Sequence, residues 1–543
     1  MRIHEEKNNK FISVLCIIIC IWIGVGALQV PITAEAAENL SISKTSMTIQ
    51  VGIQKTLKIK GTKEKVFWSS ENQEIATVDA DGVVRGMEAG TTRIFAKVGE
   101  NTYTCTVKVQ KRQIRVLLKT TGYGSIFHST ITVTSTKKFT ISNGKETKTY
   151  NAKQKVTIKP NSSLFGKGTK LTIAAKDSGK IQITSISRSQ GKPSYRGKIE
   201  VNVVKGKGMT LINQLQLEQY LYSVVSSEMS SSFSKEALKA QAVTARSFAY
   251  SHLESAQYKA YNADLDDSTG FQVYNNLAET ASTQTAVKET INQVLKSENE
   301  IINTYYYSTS SGQSATPEEV WGGSTEEKYY QRKIQNKDGK EKNLSTESAF
   351  KNFWADKNLV TFDSNSEWYR WQTTISKTNL QKQINSKLSA YSSNGSKSVL
   401  VKQSNGTYKG VKITNIGSLK KISICERAKS GMAKGILITG SKATVKVLNA
   451  TYIRYMLAPV SSKLEKQNGS SVSKMSILPS SFFYVANEKD SKGNVCFTVY
   501  GAGYGHGVGM SQNGANQMAK EGYDYKDIMH HYFQNITLSH IAE

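Results

Sequence analysis

Glu228 is the carboxylate in this sequence whose neighbours suit it to acid–base chemistry. It follows the apolar pair Val224 and Val225 and precedes a helix that Ser234 can cap. A glutamate held between apolar residues and a helix start can have a raised pKa, and such a carboxyl group can act as a general acid. On this pattern alone, a solvated glutamate at a helix end is an open alternative.

A second candidate is His506, which lies in a glycine-rich loop at residues 501–509. The loop matches neither the P-loop nor the G-x-G-x-x-G dinucleotide pattern, so nucleotide binding is not predicted. Glycine at every second position lets a strand approach another backbone or a ligand closely. The loop therefore either packs against its neighbours or lines a site.

Other catalytic constellations find little support. The sequence has no G-x-S-x-G elbow for a serine nucleophile, and no H-E-x-x-H motif or cysteine spacing for zinc. His530 and His531 are adjacent on a predicted helix, point apart and are expected at the surface. Beyond residue 36 the cysteines are expected to be buried thiols, and a bridge between Cys425 and Cys496 is left open.

Composition and the N-terminus indicate an exported protein with an anionic partner. The 543 residues include 71 Lys or Arg and 43 Asp or Glu, a net charge of +28, which attracts nucleic acid, anionic membrane or cell wall. Basic residues precede an apolar run at residues 11–28, and an A-x-A-like site ends at Ala36. We expect residues 1–36 to be a cleaved signal peptide or, alternatively, an N-terminal membrane anchor. Export predicts an extracellular or cell-wall location and excludes nucleic acid as the partner.

The pattern of elements predicts an α+β protein. Residues 37–110 read as an all-β sandwich, and residues 111–216 continue as alternating strands. Helices are predicted near residues 217–229, 235–252, 279–297, 511–521 and 524–533. A polar, charged stretch at residues 326–350 is predicted to be a loop insertion.

Two resemblances give these parts an identity. The pattern W-S-S-x-N…A-T-V-D…G-x-V…G-T-x-x-I at residues 68–94 resembles the bacterial Ig-like group 2 domain, which implies a β-sandwich spacer or binding module. Four blocks, at residues 217–250, 307–312, 319–323 and 503–515, resemble in order the stage II sporulation protein D (SpoIID/LytB) family. We therefore divide the chain into residues 1–36, an Ig-like domain at 37–110 and a SpoIID-type domain at 111–543, whose part from residue 217 on is catalytic.

The resemblance implies a peptidoglycan lytic transglycosylase whose catalytic acid is the glutamate of the V-x-x-E-M block, Glu228. It implies a substrate-binding set that matches the family blocks: Lys239, Gln241, Arg246, Tyr307, Ser308, Ser310, Gly312, His506, Gly507, Met510, Ser511 and Gln512. Some family members hold zinc beside a Y-H-S block. Here Tyr307 stands in the place of that histidine and no Cys or His is near it, so we predict no metal and no cofactor.

One glutamate is enough for this chemistry. A conventional glycosidase needs two carboxylates, whereas a lytic transglycosylase uses one group as acid and then as base. Asp266 and Asp267 are the alternative second carboxylate, which would favour hydrolysis. The expected partners are glycan strands, preferably free of stem peptides, and a cell-wall amidase; membrane contact is expected only through an uncleaved N-terminal segment. The rival interpretation is a non-catalytic wall protein that enhances an amidase.

Overall fold

The computed structural model describes residues 40–253, 255–323, 327–489 and 492–542. The predicted signal segment at residues 1–36 lies outside these described residues. Within them, no helix has both the length and the apolar character needed to cross a membrane. Several sheets combined with few helices confirm the predicted α+β class.

Residues 41–110 form the Ig-like sandwich. Inward-facing residues alternate with outward-facing ones along its strands, and the inward side chains of both sheets build one core around Ile49, Val84 and Val107. Its sheets have the orders β2-β9-β8-β5 and β3-β7-β6, and β1 pairs with β4. The strands are β1 Ser41–Ile42, β2 Ser46–Gln50, β3 Gln54–Thr56, β4 Ile59–Lys60, β5 Phe67–Ser70, β6 Ala76–Val78, β7 Val83–Gly86, β8 Gly90–Val98 and β9 Asn101–Gln110.

Residues 113–216 form the strand-rich part that precedes the helices. A seven-stranded sheet has the order β13-β12-β15-β18-β19-β10-β20, in which β20, Leu265–Asp266, comes from later in the chain. A four-stranded sheet has the order β14-β11-β16-β17. Short 3₁₀ turns occupy Thr121–Tyr123 and Ser163–Phe165. The strands are β10 Gln113–Leu117, β11 Ile131–Ser135, β12 Phe139–Ser142, β13 Thr147–Tyr150, β14 Val156–Ile158, β15 Lys170–Ala175, β16 Ile181–Ile183, β17 Ser194–Tyr195, β18 Lys198–Val204 and β19 Gly208–Gln216.

The helical layer begins where β19 ends. The alanines of the second helix are buried, and Ser234 occupies its N-cap position without a cap hydrogen bond through its side chain. The elements are α1 Leu217–Glu228, α2 Lys235–Ser251, a 3₁₀ helix at Ala256–Tyr261, β20 Leu265–Asp266, α3 Ala281–Glu289, β21 Gln293–Ser297, β22 Glu300–Ile301, β23 Tyr306–Tyr307, α4 Pro317–Trp321 and α5 Glu347–Ala355.

The single helix predicted for residues 279–297 is wrong. The helix ends at Glu289, Asn292 adopts a positive φ of 59°, and Gln293–Ser297 is a strand that pairs with Thr537–His540. Val294 and Leu295 are adjacent and both buried, which a strand between two layers allows. Apolar spacing alone does not distinguish that strand from another helical turn.

Residues 370–502 fold around a second hydrophobic core of their own. Two five-stranded sheets, of orders β31-β30-β24-β33-β32 and β26-β25-β29-β28-β27, pack with two helices. The elements are β24 Arg370–Ser376, α6 Lys377–Tyr391, β25 Val399–Lys402, β26 Tyr408–Lys409, β27 Leu419–Arg427, β28 Ala433–Gly440, β29 Thr444–Val447, α7 Ala450–Met456, β30 Lys463–Lys466, β31 Ser471–Ser473, β32 Phe483–Lys489 and β33 Val495–Ala502.

The chain then returns to the helical layer. The two predicted C-terminal helices are present and pack on α2, where Met529 contacts Thr244. His530 is exposed, but His531 is half-buried against Phe362 and bonds Gln335, so the surface prediction is wrong for His531. The elements are β34 Met510–Ser511, α8 Gln512–Lys520, α9 Tyr525–Tyr532 and β35 Thr537–His540.

Candidate functional site

Glu228 is the last residue of α1 and is half-buried. Apolar residues on the preceding turns face the core, so the helix carries its final side chain to the edge of that core. A helix C-terminus bears partial negative charge, which disfavours a carboxylate there. Position and burial both oppose ionisation of this group.

The pKa of Glu228 reflects that opposition. Burial raises the pKa from an ordinary 4.5 to about 7, although hydrogen bonds from the Val273 backbone N–H and the Tyr306 side chain lower it. The Val273 N–H donates to Oε1 at 2.6 Å. Near neutral pH the group therefore exists as both acid and base, the property that a group acting in both roles needs.

Beneath Glu228 lies a buried hydrogen-bond network that the sequence analysis missed. The Tyr306 hydroxyl, which donates to Glu228, accepts from Gln272 Nε2 at 3.1 Å. Gln272 Oε1 in turn accepts from the Tyr220 hydroxyl at 3.1 Å, and Gln272 Nε2 also donates to the Ala245 carbonyl. This network fixes the Tyr306 hydroxyl and, through it, the orientation of the Glu228 carboxyl.

The segment after Asp267 is tied to the end of α1. The Ser227 hydroxyl accepts from the backbone N–H groups of Asn276 and Leu277 at 3.0 and 3.2 Å, and Glu228 accepts from Val273 in the same segment. Two consecutive side chains of α1 therefore hold the backbone of residues 273–277, which we call the strap. The strap forms one wall beside the carboxyl group.

The glycine-rich loop packs closely on the 307–312 block. Tyr306–Tyr307 pairs in parallel with Met510–Ser511, and Thr309 bridges Tyr504. A Cβ on Gly503 would lie 2.7 Å from the Thr309 carbonyl oxygen, and one on Gly505 would lie 2.7 Å from Tyr307 Cβ. Both glycines also have positive φ. The structure thus brings these two blocks together, next to Tyr306, which hydrogen-bonds Glu228.

His506 is held as a neutral ring. Its Nδ1 accepts from the Val508 N–H at 3.1 Å, its ring bonds the Tyr306 backbone, and burial lowers its pKa to about 4. Aromatic rings of Tyr305, Tyr307 and Trp321 surround it at centroid distances of 6.0, 5.5 and 5.2 Å. A ring engaged in this way positions its neighbours and does not titrate near neutral pH.

The residues at this site do not fit a metal ion. Both hydrogen-bonding faces of the His506 ring are already engaged. In the described portion of the chain, no cluster of three or more His, Cys, Asp or Glu side chains is arranged as a metal site. The chemistry of the site is therefore derived from its side chains alone.

The predicted helix residues of the substrate set make contacts inside the protein. Lys239 pairs with Glu236 at 3.0 Å and lies over the Tyr525 ring. Gln241 is fully buried and accepts from Gln512 at 3.3 Å. The fully buried Arg246 makes two 2.7 Å hydrogen bonds to Glu218. Substrate binding by these residues stays a prediction, and the buried ones can act only through the groups they hold.

The remaining predicted residues hold the two blocks together. The buried Asp363 joins them, because its Oδ1 accepts from the Ser310 N–H at 2.9 Å and from the Ser511 hydroxyl at 2.5 Å. Most of this set is buried, with only Ser308 and His506 half-buried. The members are Tyr307, Ser308, Ser310, Gly312, His506, Gly507, Met510, Ser511 and Gln512.

Comparison with protein families finds matches to three stretches of the chain. Residues 205–296, which contain Glu228 and its strap, match the SpoIID family, described as stage II sporulation protein. Residues 36–109 match the bacterial Ig-like domain, group 2. Residues 397–509 match a domain of unknown function, DUF8618.

Curated relatives are similar over much of the chain. The amidase enhancer of Bacillus subtilis (strain 168) is 28% identical over 319 residues, 59% of this chain but only 40% of that protein. The stage II sporulation protein D of the same organism is 27% identical over 382 residues, 67% of this chain and 87% of that protein. Among solved structures, domains 4 and 5 of the S-layer protein SbsC share 27% identity over 13% of this chain and 51% of theirs; the TM-score of 0.12 is too low to relate the two folds.

Proposed function

We propose that this chain, a cell-wall-related protein of the SpoIID family with a group 2 Ig-like domain, is a lytic transglycosylase that cleaves the MurNAc–GlcNAc backbone of peptidoglycan. Glu228 serves as its general acid and then as its base. The observation that carries the proposal is a single half-buried carboxyl group within the family region, which accepts from the Val273 N–H at 2.6 Å and whose pKa is raised to about 7.

In this reaction Glu228 gives up one proton and later takes one back. Protonated Glu228 donates its proton to the glycosidic oxygen as the C1–O bond of the muramoyl residue breaks. The resulting carboxylate takes the proton from the C6 hydroxyl of the same residue, and that oxygen bonds to C1 and closes the 1,6-anhydro ring. Glu228 ends protonated, and no water is consumed because the C6 hydroxyl supplies the oxygen that bonds to C1.

The contacts of Asp266 and Asp267 favour a one-carboxylate mechanism. Both oxygens of Asp267 are engaged, by the Lys119 N–H at 3.0 Å and by the buried Arg188 at 2.6 Å. Asp266 accepts from Lys119, Tyr258 and Ser268. Carboxylates with these partners are poorly placed to activate a water molecule, which a two-carboxylate hydrolase requires.

A glycan strand also needs a surface on which its sugar rings can lie, and Trp321 supplies one. This side chain is 51% exposed, an unusual state for so large an aromatic group. Its ring lies 4.5 Å from Tyr305, the neighbour of the residue that bonds Glu228, and 5.2 Å from His506. We assign Trp321 to the groove as a stacking platform for the strand.

Cleavage should decrease above pH 7. The acid form of Glu228 starts the reaction, so a pKa of about 7 predicts full activity below neutral pH and loss above it. Tyr306→Phe removes a hydrogen bond that lowers this pKa, so the descending limb should move to higher pH. The measurement is kcat/KM against pH. Tyr391→Phe, in the separate core where Tyr391 stacks on Tyr452, is the control, and an unshifted limb in Tyr306→Phe would contradict the assignment.

Trp321→Ala should weaken binding of peptide-free glycan strands about tenfold, the effect of losing roughly 1.4 kcal/mol of stacking. Trp321→Phe should recover part of the affinity because it restores an aromatic face. Sedimentation of the protein with strands measures the effect, in a Glu228→Gln background that prevents cleavage. Phe67→Ala is the matched control, since Phe67 is 60% exposed on the Ig-like domain. An equal loss of affinity in this control would contradict the assignment of Trp321 to the groove.

The experiment that tests the function is product analysis. Purified protein is incubated with intact peptidoglycan and with peptide-free strands, and the products are examined by mass spectrometry. Products one water lighter than the hydrolysis products support the transglycosylase. Reducing-end products without that loss would indicate a hydrolase and redirect attention to Asp266 and Asp267.

A second candidate function rests on the similarity to the amidase enhancer of Bacillus subtilis. In this alternative the chain binds the wall and increases the activity of an N-acetylmuramoyl-L-alanine amidase without cutting glycan. Binding to both substrates without cleavage of either would favour it. An amidase is also the expected partner of the transglycosylase, because it produces peptide-free strands at the cell wall.

A further inference from the structure

The positive charge of the chain is unevenly distributed. Residues 377–447 contain 14 Lys or Arg and a single acid, Glu426, so this stretch of 71 residues supplies 13 of the 28 net positive charges. Among the ion pairs of the described residues, the one formed by this stretch joins Arg427 to Glu347. Its lysines are left without carboxylate partners and together create a strong positive field.

This stretch folds into one layer with two different faces. It consists of α6 and the sheet β26-β25-β29-β28-β27. The inner face is apolar: Val399, Ile438 and Val445 pack with Leu380 and Ile384 of α6. One face of the sheet is thereby covered, and the alternation of strand residues turns the other set of side chains away from the core.

Strand register places lysines across that outer face. Lys421 lies opposite Thr439, and Lys446 lies between Leu437 and Leu400 on its two neighbouring strands. Lys402 lies opposite Tyr408, and the Lys446 ammonium stacks over the Tyr408 ring at 4.9 Å.

We call the set Lys402, Tyr408, Lys421, Thr439 and Lys446 the lysine face. None of these residues is buried. Four strand-to-strand steps of about 4.8 Å make the five-stranded sheet about 19 Å wide, enough for several charged units of an extended polymer.

We infer that the lysine face binds a phosphate-bearing anionic polymer of the cell wall and holds the catalytic region beside its glycan substrate. Lysine is a compact point charge that suits phosphate oxygens approached from many directions. A flat array of such charges without a pocket fits a repeating polyanion better than a single small ligand. The site is separate from Glu228 and does not depend on cleavage.

The test measures binding of the full chain to purified walls. Walls are used untreated or after hydrogen fluoride treatment, which cleaves phosphodiesters and leaves peptidoglycan. The variant combines Lys402→Gln, Lys421→Gln and Lys446→Gln. At low ionic strength it should bind untreated walls about a hundredfold more weakly, from a loss of roughly fivefold for each lysine near an anionic surface. The difference should shrink as salt is added.

The matched control neutralises three exposed lysines in another basic stretch, residues 137–170, where nine lysines accompany one acid. Lys145→Gln, Lys148→Gln and Lys155→Gln make the same change in net charge. An equal loss in this control would overturn the inference, since net charge alone would then explain binding. Equal binding of the wild type to treated and untreated walls would overturn it too, and so would equal competition by duplex DNA at physiological salt.

A last readout separates this inference from the proposed function. Neither triple variant touches the site around Glu228, so both should cleave soluble peptide-free strands at the wild-type rate. Loss of wall binding with normal cleavage supports the lysine face. Intact wall binding in the lysine-face variant overturns it and leaves the transglycosylase proposal standing.

Discussion

Glu228→Gln is expected to lower kcat for glycan cleavage by at least about a thousandfold, because one group that acts as both acid and base is lost from both steps. Glutamine keeps the size of the side chain, and its carbonyl oxygen can still accept from the Val273 N–H. Binding of peptide-free strands should therefore persist. The measurement is single-turnover release of 1,6-anhydro ends, with binding followed separately by sedimentation.

The matched control is Glu298→Gln. Glu298 is an exposed glutamate after β21 that pairs with the exposed Lys328 at 3.1 Å, and its loss should leave cleavage close to wild type. If Glu228→Gln still cleaved at a tenth of the wild-type rate or more, Glu228 would not be the acid. A loss of binding equal to the loss of rate would instead indicate a damaged groove.

Glu228→Gln should lower the rate of cleavage but increase the stability of the protein. Folding raises the pKa of Glu228 from 4.5 to about 7, so the folded state binds its proton more tightly than the unfolded state. The resulting contribution to stability is fully present below pH 4.5 and is lost as pH rises through about 7. Glutamine does not titrate, so the stability advantage of Glu228→Gln over wild type should grow across that window. Thermal melting at pH 4 and pH 8 measures the change.

Opposite effects on rate and stability identify a functional residue. If a glutamate only packed against its neighbours, its replacement would make the protein less stable. If burial opposes the ionisation of the glutamate, its replacement makes the protein more stable. Tyr306 and Val273 limit the loss of stability caused by ionising Glu228, since both donate hydrogen bonds that favour the carboxylate. The surroundings therefore keep the pKa of Glu228 near neutral, where one group can give and take a proton.

The parts of the fold that local patterns determine could be read from the sequence. The α+β class, the Ig-like sandwich and the helix that follows Ser234 all come from alternation, turn residues and 3.6-residue spacing. The boundary at Asn292 could not be predicted, because the strand after it exists only through pairing with Thr537–His540, more than 240 residues later. Apolar spacing does not report such pairing.

The sequence pointed to Glu228 as a candidate, but not to the side chains that surround it. The Tyr306 hydroxyl is fixed by Gln272, which is fixed by Tyr220, and these three residues come from separate elements. No local spacing connects them. The family blocks, by contrast, drew attention to buried residues such as Ser511, whose role in the structure is to bind Asp363. Sequence motifs mark what the fold needs as well as what the substrate touches.

Arg246→Met is expected to lower the free energy of unfolding by about 3 kcal/mol, at the lower end of the cost of removing one partner of a buried ion pair. Arg246 has no exposed surface, and besides its two hydrogen bonds to Glu218 it donates to the carbonyls of Val287 and Gln293. It thereby joins α1, α2 and the strand that follows α3. Methionine fills similar space but leaves the Glu218 carboxylate and both carbonyls without these donors. Urea denaturation measures the loss.

Lys239→Met is the matched control from the same helix. Lys239 pairs with Glu236 at 3.0 Å and lies 3.8 Å from Glu289, and all three side chains are partly exposed. Because water screens such pairs, their loss should cost about 1 kcal/mol or less. Adding Glu218→Gln to Arg246→Met should recover part of the lost stability, because the uncompensated charge disappears. Activity measurements then distinguish whether Arg246 positions its neighbours or binds substrate. A positioning residue leaves kcat/KM per folded molecule near wild type below the unfolding transition, whereas a residue that binds substrate raises KM even where the variant is fully folded.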